Sequence, residues 1–324
     1  DLEKRETRRL DPLDYITKTF GARWDPSAKC PRWERFLEEI WLGDKDLIAY
    51  FRRLVGYCMT GYVKGEKFWV LWGDGANGKS VLMETLGALF GDYFVKLPAE
   101  LFLASKLPRD DNAPTPAVVS LKGARFAVGS ETGEGRSLNE PLLKELSCGD
   151  TLTARQLYGK KFQFLPTHKL FLVTNHKPRV SPKDGGTWRR LRLIPFPAKF
   201  EGARDDQGLK EKLRAELPGI LIWGIHGALE WRERGLGEEP ECVRAAVEEY
   251  KREVDPVARF ISETCETRED FEESTASLRR AYQYWAGDNG APEMSDAWLG
   301  RRLNELGYCV HHTKQGNKRK GLRL

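Results

Sequence analysis

Apolar residues recur at intervals of three and four over residues 33–61: Trp33, Phe36, Leu37 and Ile40, then Leu47, Ile48, Phe51, Leu54 and Val55. That period puts them on one face of a helix and predicts a small helical N-terminal piece. A different pattern follows. Residues 67–72 (KFWVLW) are a continuous apolar run of strand length ending at glycine, and 81–90 return to helical spacing. Further runs at 124–129 (ARFAVG), 169–174 (KLFLVT) and 191–196 (LRLIPF), with helical stretches between them, predict an α/β core around a mainly parallel sheet. After residue 200 the pattern is helical, over 206–234 and again over 241–264, which reads as a lid or linker bundle. The end of the chain runs helix (277–286), polar turn, helix (295–306) and two short strands around a tip rich in Lys, Gly and Asn. Helix, helix and hairpin in that order suggest a winged-helix module. The expected domains are therefore 1–62, helical; 63–200, the α/β core; 201–270, the helical lid or linker; and 271–324, the winged-helix-like module.

Composition adds limits to this picture. With 324 residues, 40% hydrophobic and 31% charged, the chain is ample for an ordinary buried core. No apolar run approaches the roughly 18 residues that a spanning helix needs, so no membrane segment is expected. The six cysteines lie far apart, with no C-x-x-C pair and no histidine at ligand spacing, and read as reduced thiols of a cytoplasmic protein. A net charge of +5 says little by itself, but residues 151–200 hold eleven Lys or Arg against the single acid Asp184. Such a stretch suits a polyanionic partner. The start at Asp1, with no initiator Met and no signal-like segment, suggests a piece of a longer polypeptide.

The candidate chemistry begins at Gly73-Asp74-Gly75-Ala76-Asn77-Gly78-Lys79-Ser80, between a predicted strand and a predicted helix. Glycines there let backbone N–H groups turn inward and cradle phosphate oxygens, Lys79 reaches the β and γ phosphates of ATP, and Ser80 ligates Mg²⁺. Hydrolysis also needs a carboxylate near the γ phosphate. Glu131 ends the apolar run that begins at Arg125, where an acid leaves a buried strand at its C-terminal edge, and Glu134 is a second candidate. Asn175 closes the next strand in the same manner as a polar sensor for attacking water, the alternative being a turn residue. Arg189 and Arg190 precede the strand-type run at 191–196 and suit a finger that reaches a neighbouring subunit's γ phosphate, the alternative being a surface ion pair.

These residues resemble the superfamily 3 helicases of the AAA+ class, of the phage and plasmid primase-helicase type and related to poxvirus primase-helicases. The resemblance is carried by WDPSAKCPRWERFL (24–37), GDGANGKS (73–80), ARFAVGSETGEGRSLNEPLLKELSCGDTLTAR (124–155), FLVTNHKPR (171–179), GGTWRRLRLIPF (185–196) and LPGILIWGIHGAL (217–229). It implies a P-loop AAA+ core, an N-terminal collar, and a homo-hexameric ring. Such a ring hydrolyses ATP between subunits and moves along single-stranded DNA 3′ to 5′ at a fork. In the family's motifs Lys79 and Ser80 match the phosphate and magnesium positions, Glu131 the second acidic motif, Asn175 the sensor and Arg189 the finger, with Arg190 adjacent. Ser130 precedes Glu131 where many relatives have two acids, a departure that bears on the magnesium ligand. The family also implies a primase domain as a candidate upstream partner, and a bacterial host cytoplasm for a chain of phage or plasmid origin.

The resemblance also implies a pore hairpin between the second acidic motif and the sensor, and residues 151–166 read as two short strands around Tyr158-Gly159-Lys160-Lys161. Lys160 and Lys161 would hold DNA phosphates and Tyr158 would stack on a base. In the C-terminal module Lys314, Lys318, Arg319 and Lys320 are candidates for duplex phosphates from the wing, or for a solvated turn. Two other readings keep part of this chemistry: an ATP-dependent initiator or loader, and a nucleotide-gated DNA-binding module with little hydrolysis.

Overall fold

Pro31 at the first helical position opens α1 (Pro31–Ile40), and its apolar stripe of Trp33, Phe36, Leu37 and Ile40 is fully buried. Cys30 offers this helix no side-chain cap; instead the Glu216 carboxylate, far along the chain, accepts from the N–H groups of Arg32 (3.0 Å) and Trp33 (2.9 Å). Asp44 starts α2 (Lys45–Met59) by accepting from the Leu47 N–H at 2.9 Å. The structure, a computed structural model, describes the chain apart from residues 1, 3, 5, 10, 106–112, 131–132, 183, 203–205 and 314–315.

Five parallel strands form the main sheet: β1 (Phe68–Trp72), β2 (Phe94–Leu97), β3 (Phe126–Ser130), β6 (Lys169–Thr174) and β7 (Leu191–Pro195), in the order β2-β3-β6-β1-β7. The four inner and right-hand strands are those that the apolar runs predict. The edge strand β2 is not predicted, because four residues with a lysine among them carry no periodic signal. Between β2 and β3 lies the short helix α4 (Pro116–Ser120), and between β3 and β6 the chain makes α5 (Glu140–Ser147) and a separate antiparallel hairpin, β4 (Leu152–Arg155) and β5 (Lys161–Phe164).

α3 (Lys79–Phe90) packs on the sheet, α7 (Leu209–Ala215) and α8 (Leu217–Arg234) pack on α3, and α2 lies along α8. The two helices approach at glycines: a Cβ on Gly56 would lie 2.0 Å from the Ala228 nitrogen, and one on Gly227 would lie 2.1 Å from the Arg52 oxygen. Trp33 meets Trp223 edge-on with centroids 5.5 Å apart, and Trp69 stacks on Phe171 at 5.3 Å. The expected boundary at residue 62 is therefore not observed, since α1 and α2 share one core with the sheet and with α8.

The chain divides into two compact units, Asp1–Val247 and Glu248–Leu324. Their boundary falls inside α9 (Glu241–Val254), earlier than the expected 270/271, because α10 (Pro256–Thr264) puts Val257, Phe260 and Ile261 into the core of the second unit. That unit continues with β8 (Glu266–Ser274), α11 (Thr275–Asp288), α12 (Asp296–Glu305), β9 (Val310–Thr313) and β10 (Gly316–Arg323). Its sheet is antiparallel in the order β8-β10-β9. Strand β8, sequence ETREDFEES, is absent from the sequence expectation: Phe271 is its single apolar residue, so it shows no alternation and becomes a strand only through pairing with β10. Among the described residues no helix is long and apolar enough to cross a membrane.

Candidate functional site

Because all five strands of the main sheet run parallel, its two edges collect different loops. At the C-terminal edge lie the glycine loop after β1, the end of β3 at Ser130 and the turn after β6 at Asn175. Parallel sheets hold their ligands at this edge. Glu131 follows Ser130 directly but lies outside the described residues; Glu134 is described and exposed.

The loop is built for close approach. Gly75, Ala76 and Gly78 have φ of 99°, 45° and 85°, so successive N–H groups turn to one side. A Cβ on Gly78 would sit 2.6 Å from Cγ2 of Ile40, and one on Gly73 would sit 2.4 Å from Nδ2 of Asn77, so α1 and the loop's own asparagine fill the space behind the turn. The N–H of Phe200 donates to the Ala76 oxygen at 2.7 Å and pins the rim. Lys79, the first residue of α3, is almost wholly buried, and its Nζ donates to the Gly73 oxygen (2.5 Å) and to Oδ1 of Asn77 (2.9 Å). Burial pulls this ammonium down to about 8, against a smaller upward pull from Asp74. Nδ2 of Asn77 is buried and has no hydrogen-bond partner among the described residues. Ser80 is exposed at the start of α3. A buried cation satisfied only by carbonyl oxygens, an orphaned amide and a collar of N–H groups at a helix N-terminus fit an anion of triphosphate type.

Asn175 is exposed, and its backbone oxygen accepts from Nε1 of Trp72 at 3.1 Å. The last residue of β1 thereby ties the sensor candidate to the strand that carries the glycine loop. Nζ of Lys177 lies 4.2 Å from the Trp72 ring centroid. Neither contact was visible in the motif pattern; Trp72 read only as the end of an apolar run.

Arg189 and Arg190 stand at the opposite edge. They end α6 (Gly185–Arg190), which Asp184 caps by accepting from Gly186 N (3.1 Å) and Thr187 N (3.2 Å). The two arginines differ. Arg190 has 9% of its side chain exposed, pairs with Glu66 at 2.5 Å and donates to the Gly186 oxygen at 3.1 Å; Arg189 has 69% exposed. Only Arg189 is open to a neighbour.

In the hairpin the strands close through Arg155↔Lys161, and Tyr158 stands at the tip with φ 59° and 95% exposure. Lys160 and Lys161 are exposed beside it, and the Gly159 oxygen accepts from Nε of Arg155 at 3.1 Å. The second unit supports the wing candidates unequally. Arg319 is a correction: it is buried, and its guanidinium donates to Oδ1 of Asn304, to the Tyr308 oxygen (2.8 Å) and to the Gly300 oxygen (3.1 Å), holding β10 against α12 instead of facing a phosphate. Lys318 lies 3.7 Å from Glu272 of β8, Lys320 is exposed, and Lys314 is outside the described residues.

Comparison with known proteins follows the same lines. A family model described as D5 N terminal like matches residues 1–42. A protein of Acanthamoeba polyphaga mimivirus bearing a helicase name is 32% identical over 237 residues, 68% of this chain and 24% of its own length. One of Invertebrate iridescent virus 6, also bearing a helicase name, is 26% identical over 84% of this chain and 31% of its own length. One of African swine fever virus (strain Badajoz 1971 Vero-adapted), bearing a primase name, is 31% identical over 64% of this chain and 23% of its own length. The solved apo C-terminal region of NrS-1 (305–718) superposes with a TM-score of 0.60 at 13% identity, covering 94% of this chain and 79% of that one. The chain belongs to the primase-helicase type family. It spans about a quarter to a third of the length of the viral relatives it matches, and the likeness to NrS-1 extends through both compact units as a likeness of fold.

Proposed function

We propose that this chain is the ATP-driven motor region of a DNA helicase, working as a hexameric ring that hydrolyses ATP between subunits and draws single-stranded DNA, 3′ to 5′, from a fork. One observation carries the reading: the glycine loop and the exposed Arg189 lie at opposite edges of one parallel sheet. Phe68 pairs with Leu191 and Trp72 with Pro195, so the five residues of β1, roughly 16 Å at 3.3 Å per residue, separate Arg189 from its own chain's phosphate cradle. Arg189 is thus poorly placed for its own nucleotide and well placed for that of a second copy.

Within one subunit the loop amides and Lys79 bind and orient the triphosphate, and Asn175, fixed through Trp72, holds the attacking water. Mg²⁺ would neutralise charge on the β and γ phosphates, with Ser80 the described residue best placed to hold it. Glu131 would take the proton-accepting or metal-holding role of the carboxylate. The exposed hairpin offers Lys160 and Lys161 to backbone phosphates and Tyr158 to a base, contacts that grip DNA without reading sequence. In the second unit the winged-helix reading leaves Lys318 and Lys320 for duplex phosphates.

The test pairs ATPase rate, with and without single-stranded DNA, with particle mass. The expected results are stimulation by DNA, a six-fold assembly, and loss of about a thousandfold in turnover for Arg189→Ala with nucleotide binding retained. A monomer hydrolysing at full speed without DNA would overturn the reading.

A further inference from the structure

Register places a third side chain at the finger. Because β7 lies beside β1 with Leu191 next to Phe68, the residues just before each strand are neighbours, and the residue before β1 that reaches the arginines is Glu66. Its φ of 48°, next to Gly65 at 86°, turns the loop so that the carboxylate faces the end of α6. A single oxygen, Oε2, accepts from Nη2 of Arg190 at 2.5 Å and lies 3.7 Å from Nη2 of Arg189. Exposure rises in the order Arg190 9%, Glu66 46%, Arg189 69%. Arg190 is anchored twice, to Glu66 and to the Gly186 oxygen, and so holds the carboxylate still.

We propose that Glu66 is a positioning residue for Arg189, orienting the exposed guanidinium toward the triphosphate bound by a second copy of this chain. The proposal rests on the reading of Arg189 given above. A long, solvated arginine samples many rotamers, and a fixed carboxylate at ion-pair distance narrows them without binding tightly enough to compete with a triphosphate. Glu66 sits at the N-terminal end of β1 and the glycine loop at the C-terminal end, so a change at Glu66 leaves the chain's own phosphate cradle untouched. Its effect should appear in turnover and spare nucleotide binding.

Glu66→Gln, Glu66→Asp, Arg189→Ala and the double variant Glu66→Gln/Arg189→Ala would be compared for kcat, KM for ATP, ATP binding, Tm and particle mass. The proposal expects Glu66→Gln to lose about tenfold in kcat at unchanged KM and unchanged mass, Glu66→Asp to recover part of that loss, and Glu66→Gln to cost nothing further once Arg189 is gone. Full kcat in Glu66→Gln while Arg189→Ala loses turnover would overturn the positioning role and leave the functional reading standing. An equal loss in the Arg189→Ala background would also overturn it, by showing that Glu66 acts elsewhere. Full turnover in Arg189→Ala would instead sink the functional reading itself. If Glu66→Gln lowers Tm enough to obscure kinetics, Glu66→Asn, alone and in the Arg189→Ala background, decides: a kcat deficit that disappears without Arg189 supports the role, and wild-type kcat refutes it.

Discussion

Lys79 carries its charge under strain from its surroundings. Buried among carbonyl oxygens, with its pKa drawn down to about 8, it is mostly protonated at pH 7 and mostly neutral at pH 9. In the proposed ATP site a bound triphosphate would return the charge, so that binding would be accompanied by proton uptake above pH 8. Affinity for Mg·ATP should therefore be flat below pH 8 and weaken by about tenfold between pH 7 and pH 9, as titration calorimetry across that range would reveal. Lys79→Ala should bind weakly at every pH and lose this slope; a wild-type slope in that variant would assign the titration to another group. The same scale explains why two adjacent arginines are not equivalent. Their identity in sequence conceals that one is buried against Glu66 and the Gly186 oxygen while the other, 3.7 Å from the same carboxylate, is exposed.

At the scale of elements, the hairpin formed by β4 and β5 is the clearest case of a segment read from local pattern alone. Two short strands about a Tyr-Gly-Lys-Lys turn were expected and are observed, because hairpin register depends on nearby residues. Its tip exposes Tyr158, and substituting this residue removes a stacking surface without touching a core. Tyr158→Ala should weaken single-stranded DNA binding by about 1–3 kcal/mol. Replacing Lys160 and Lys161 together by Ala should reduce the slope of log K against log salt by roughly 1.4, the share of two single-strand phosphate contacts. Fluorescence anisotropy at several salt concentrations measures both, and an unchanged slope would remove the hairpin from the DNA path. Strand β8 is the opposite case. Its charged sequence has no alternation to reveal it, and only its partner β10 makes it a strand.

For the whole molecule the division at Val247/Glu248 has a thermodynamic consequence. Each unit has its own apolar core, so two unfolding transitions are expected. In the second unit Asp255 is 1% exposed, caps α10 through the Val257 N–H (3.0 Å) and pairs with Arg302 at 2.7 Å. Asp255→Asn should lower the stability of that unit by about 3 kcal/mol and leave ATP hydrolysis by the first unchanged. Scanning calorimetry would show one transition moving and the other fixed; a shift of both would mean that the units fold together.

Residue order alone determined the segments whose cause is local. Buried parallel strands need continuous apolar runs, amphipathic helices need a three-and-four stripe, and a phosphate cradle needs spaced glycines followed by lysine; β1, β3, β6, β7, α1, α2 and the loop at Gly73–Ser80 follow from these needs. Tertiary structure decided whatever depends on a distant partner. Glu216 caps α1, Trp72 ties down Asn175, Glu66 clasps Arg190 beside Arg189, Arg319 turns inward, and the helices of the N-terminal piece join the core through glycine contacts with α8. The physical reason is that hydrogen bonds and ion pairs join groups near in space, and in this chain those groups are 100 residues apart or more for several of these contacts.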